Sequence, residues 1–114
     1  MDLIARNHLI GELVTLLAHG EYDALLRKTR GSRLSAEQLA AAVRDYGRQI
    51  VPLPPPGYRL IDCVPIRGSK PPAWSVVVPL FTEEEGRSDL SLELSIAETL
   101  GDGYVAHIDN IHVL

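Results

Sequence analysis

The chain has 114 residues, 46% of them apolar and 23% charged, with a net charge of −4 and a single cysteine, Cys63. A chain this short builds one core, so one domain over 1–114 is expected, and the composition excludes a disordered chain. No apolar run reaches the roughly 18–20 residues that span a bilayer, and the lone thiol excludes an internal disulfide.

Asp2 stands where a secretory leader would carry basic residues, so a cytoplasmic location is expected. The charge is uneven. Residues 1–51 hold seven basic and six acidic side chains, whereas residues 52–114 hold four basic and nine acidic ones. An acidic second half repels phosphate backbones and attracts basic proteins, so the expected partner is a protein with a basic surface, not a nucleic acid or a membrane.

In chain order, residues 1–47 read as the helical part. Leu3, Ile10, Leu13, Val14 and Leu17 recur at helical spacing, and His19-Gly20 supplies a stop. Tyr22, Leu25 and Leu26 give a second helix its apolar face, and Gly31 closes it. The third helix has the strongest start signal. Ser35 can accept from the Gln38 amide while the Gln38 side chain reaches back, and Leu34 can staple onto Leu39. Leu39, Val43 and Tyr46 form its inward side, and Gly47 ends it.

Pro52-Leu-Pro-Pro-Pro-Gly57 separates helical from extended sequence and is expected as a stiff polyproline connector. Residues 58–114 then read as an antiparallel sheet. A first strand runs from Tyr58 to Val64. A second places Trp74, Val76, Val78 and Leu80 on one face, with Pro79 marking an edge position or a bulge. The third alternates Leu90, Leu92, Leu94 and Ile96 against Ser91, Glu93 and Ser95, one face on a core and one on water. Gly101-Asp-Gly103 turns into the last strand. There Tyr104, Ala106 and Ile108 hold one parity, but Ile111 and Val113 hold the other. Keeping both sets on one face requires an extra residue, so the expectation is a β-bulge near Asp109-Asn110 or a strand buried on both faces at its end. The expected fold is α+β: three N-terminal helices packed on a curved, cone-like, four-stranded antiparallel sheet.

Two resemblances follow. The run Leu-Val-Thr-Leu-Leu-Ala-His-Gly-Glu-Tyr-Asp-Ala-Leu at 13–25 resembles the opening of the nuclear-transport-factor-like, or ketosteroid-isomerase-like, cone fold. The Trp74–Phe81 strand, the Thr82–Leu90 turn and the ending Ile108–Leu114 resemble a family of small, uncharacterised bacterial proteins. The second resemblance implies no activity. Cone-fold enzymes move protons with a Tyr and carboxylates, but no motif here aligns such residues, so no catalytic residue is assigned.

The candidate contact surface is Glu83, Glu84, Glu85, Arg87, Asp89 and Glu93, with Asp109 and His112 at its rim. Four carboxylates within seven residues suit docking. Their spacing does not match a calcium loop, so no metal is assigned, and no sequence feature calls for a cofactor. Gly86 is expected at positive φ, with Arg87 paired to Asp89 or a glutamate. By analogy with small acidic bacterial domains, the expected role is an immunity protein that occludes a basic toxin domain. The alternative is a cone-fold binding domain or enzyme, isomerase- or dehydratase-like, with Tyr58, Asp62, Trp74, His107 and Asp109 converging in a pocket. A third reading is a homodimer formed through the sheet.

Overall fold

In a computed structural model, which describes residues 1–101 and 103–113, the elements run α1 (Leu3–Ala18), α2 (Tyr22–Lys28), α3 (Ala36–Tyr46), β1 (Ile50–Val51), α4 (Pro55–Tyr58), β2 (Asp62–Pro65), β3 (Ala73–Thr82), β4 (Gly86–Glu98) and β5 (Tyr104–Val113). The class is α+β, with the helices at the N-terminus and an open antiparallel sheet after them.

Each helix begins and ends for a local reason. The Asp2 carboxylate accepts from the amides of Ile4 and Ala5 and so caps α1. Ile10, Leu13, Val14 and Leu17 form its buried stripe, while Leu3, expected inward, is 60% exposed. The capping box of α3 is complete: Gln38 N donates to Ser35 Oγ at 3.1 Å, and Ser35 N donates to Gln38 Oε1 at 2.9 Å. Gly47 ends α3 in the left-handed region, at φ 76°.

The proline tract differs from the expected connector. Ile50-Val51 form a short strand just before it, and Pro55–Tyr58 make one helical turn. Pro fits the first positions of a helix, because their N–H groups have no intrahelical acceptor and the ring presets φ. Tyr58 therefore belongs to this turn and not to a strand, and β2 begins only at Asp62.

β3 lies at the centre of the pairing. β4 takes one of its edges, and β1 and β2 share the other, β2 against Trp74–Val77 and β1 against Phe81-Thr82. Pro79 falls in the gap between them, beside a register shift that also makes β4 bulge around Ser88–Leu90. A residue without an N–H is tolerated at such a break.

In β5 the register steps from Ile108 opposite Leu94 to Asn110 opposite Glu93, which leaves Asp109 as the extra residue. Of the two expected resolutions of the parity conflict, this is the bulge. It turns Ile111 back to the side of Ala106 and Ile108, and all three are buried. The free edge of β5 is covered by the α2–α3 loop, where Arg30 N and Arg33 N donate to Ala106 O and Ile108 O, and Ile108 N donates to Gly31 O. Ser32 there pairs in parallel with Ile108.

Helices and sheet enclose one core. Ile10, Leu13, Val14, Leu25 and Leu39 from the helices meet Val76, Val78, Leu80, Leu92, Leu94, Ile96 and Ile108 from the strands, all at 0% exposure. No described helix is long and apolar enough to cross a membrane.

Candidate functional site

The register lays out the sheet face turned away from this core. One rung runs Asp62, Val77, Glu93, Asn110, and the next runs Val64, Ser75, Ser95, His107. Asp62, Val64, Ser75 and Asn110 are exposed and the others half-buried, so these rungs face solvent. A third rung, Pro79, Ser91, His112, is more closed: Pro79 and Ser91 are buried at the β4 bulge. The wet side expected for β4 is thus only partly wet.

Two histidine–carboxylate pairs sit on this face. Asp109 projects from the bulge with Oδ1 2.8 Å from His107 Nδ1, and its Oδ2 accepts from Ser95 Oγ at 2.7 Å. An ionised carboxylate only accepts, so Nδ1 carries the proton and a neutral ring keeps its lone pair on Nε2. Gly31, at φ 99°, lets the ring edge approach: a Cβ there would stand 2.9 Å from His107 Cδ2. The chemistry this permits is that of an oriented imidazole. It is not an acyl-transfer triad, because Ser95 donates to Asp109 and not to the imidazole. In the second pair, His112 Nδ1 lies 3.1 Å from Glu93 Oε2 but is not aligned for a hydrogen bond.

Two of the four carboxylates of the acidic turn are engaged within the fold. Glu84 accepts from Gln49 N, and Glu85 accepts from the hydroxyls of Tyr46 and Thr82. Asp89 N donates to Tyr46 Oη at 3.3 Å. Gly86 has the expected positive φ, 73°. Arg87 has no carboxylate within 4 Å among the described residues, contrary to the expected pairing. Glu83, Arg87 and Asp89, the last bonded only through its amide, are the exposed charges whose side chains this turn leaves uncommitted among the described residues.

The five candidate pocket residues do not converge. Tyr58 lines a cleft of about 430 Å³ on the outer side of α1, with His8, Glu12 and Lys28. Asp62 and Trp74 line another of similar volume, with Leu3, Arg6 and Cys63. His107 and Asp109 lie on the sheet's open face and line neither. Both clefts are open grooves and not cavities inside the core.

These clefts hold residues the sequence reading passed over. In the first, Gly11 gives room to the Tyr58 hydroxyl, and Glu12 bridges His8 and Lys28. The Lys28 hydrogen bond and charge hold the Glu12 carboxyl below its ordinary value, against a smaller opposing effect of burial. The spacing of His8 and Glu12, one helical turn apart, was the available signal. Among the described residues no three His, Cys, Asp or Glu side chains gather closely enough to hold a metal ion.

The model of the domain of unknown function DUF7668 matches residues 14–114, and the chain belongs to that family. Comparison with curated proteins and with solved structures gives no match.

Proposed function

We propose that this DUF7668 domain is a protein-binding module that docks a basic partner on the open face of its sheet. The observation that carries the reading is the composition of the two solvent-facing rungs. With the bulge residue between them they present Asp62, Glu93 and Asp109, and no Lys or Arg. The opposite face is covered by the aliphatic side chains of the core.

The same charges argue against a second copy as the occupant. A two-fold contact through this face would set carboxylate against carboxylate with no cation between them. Bulges bend strands, so the register shifts in β4 and β5 are the devices that would curve the face into the cone-like form. A toxin domain with a basic active-site surface is a partner of the required chemistry, and occluding it would be an immunity function.

Site-specific photocrosslinking in the host tests the reading. A crosslinker at Ser75 or Ser95 is expected to give one discrete protein adduct of basic surface, and one at Glu37 on α3 is expected to give none. Adducts only from the helical side would overturn the assignment.

A further inference from the structure

Arg6 is the one charged side chain on the buried stripe of α1 and is only 8% exposed. Its Nε and Nη2 donate to Asn7 Oδ1 at 3.0 and 2.7 Å, and Nη2 also reaches the Tyr58 carbonyl at 3.4 Å. These acceptors are neutral. No carboxylate lies within 4 Å of the guanidinium among the described residues, and Nη1 makes no hydrogen bond there. The group also sits near the positive end of the helix dipole, where a cation is disfavoured. Burial, dipole and missing counter-charge act in the same direction, and an anion would offset all three.

Arg6 lines the cleft of about 430 Å³ between the start of α1 and the edge of the sheet. Leu3, Ile61, Cys63 and Trp74 bring apolar side chains to that lining, which Met1, Asp62 and Pro65 complete. The volume suits a small organic molecule. We propose that this cleft binds a small carboxylic acid with an apolar body, its carboxylate on Arg6 and its body against Trp74. A phosphate dianion is disfavoured. The lining holds no Lys or Arg besides Arg6, and the Ile4 and Ala5 amides at the start of α1 are already bonded to Asp2. Asp62 borders both this cleft and the proposed docking face, where the register turns its side chain, so the variants that test the cleft leave Asp62 in place and each site can fail without the other.

Trp74 is the only tryptophan, so its fluorescence reports on the cleft. Phenylacetate is expected to produce a saturable change with a Kd on the order of 0.1–1 mM. Phenylacetamide, of the same shape but neutral, is expected to bind at least about tenfold more weakly. Arg6→Met is expected to abolish saturation. Should that variant fail to fold, Leu3→Glu decides: a carboxylate at this exposed position of the lining, one turn from Arg6, is expected to weaken phenylacetate about two- to fivefold. A purely structural Arg6 predicts no such loss. Equal binding of acid and amide, no saturation by the acid, or an unchanged phenylacetate affinity in Leu3→Glu would overturn the proposal.

Discussion

Asp109 is the residue of β5 that has no partner on β4, and its carboxylate fixes His107 by a 2.8 Å contact while accepting from Ser95 across the strand gap. One inserted residue thus corrects the register and orients an imidazole on the open face. Deleting Asp109 is expected to return Ile111 to the solvent side. The lost burial alone is worth roughly 1.5–3 kcal/mol, and the fold is small. Urea denaturation should show a large loss of stability, whereas Asp109→Asn, which keeps the residue count, should cost about 1 kcal/mol.

Gly31→Ala is expected to be costly at an exposed position. Its φ of 99° is strained for any L side chain, and the new methyl would meet the His107 ring. A loss of about 1–3 kcal/mol is expected in thermal or chemical unfolding, together with a shift of the His107 ring resonances. An unchanged His107 spectrum would contradict the packing of this loop on the strand.

Tyr46 ties α3 to the acidic turn, through Glu85 and the Asp89 amide. Tyr46→Phe is expected to cost about 1 kcal/mol and to speed amide exchange at residues 83–89. It should leave partner affinity nearly unchanged, because the turn's carboxylates serve the fold more than the docking face.

The Glu12–Lys28 pair gives a pH signature. The folded Glu12 pKa is depressed, chiefly by the Lys28 hydrogen bond, so its contribution is present above the unfolded value and lost as pH falls through the folded one. Lys28→Met should therefore cost about 0.2–1 kcal/mol at neutral pH. Wild type and variant should converge in acid, below the ordinary carboxylate range. A difference that persists there would assign the effect to packing of the lysine stem.

Much of the fold was legible in local patterns. The capping box needed only Ser35 and Gln38, four positions from end to end. The parity conflict between Ile108 and Ile111 left a bulge or a strand end buried on both faces, because a strand cannot bury both on one face without an extra residue, and the register decides for the bulge. What escaped were features set by distant contacts. β1 is two residues long and exists only through pairing with Phe81-Thr82. The prolines at 54–56 permit a helical first turn as readily as a polyproline stretch. The carboxylates of Glu84 and Glu85 read as free because their partners, Gln49 and Tyr46, stand more than thirty positions away in sequence. Arg6 was overlooked although it shares the periodicity of Ile10, Leu13 and Leu17. A charged residue on an apolar stripe was the signal.

Charge reversal on the open face tests the docking surface most directly. Glu93→Lys combined with Asp62→Lys would be titrated against the protein captured by the Ser95 crosslinker, at low and at physiological salt. Affinity should fall at least about tenfold, and its dependence on salt should flatten. Affinity and salt dependence equal to those of the unaltered chain would show that the open sheet face is not where the partner binds.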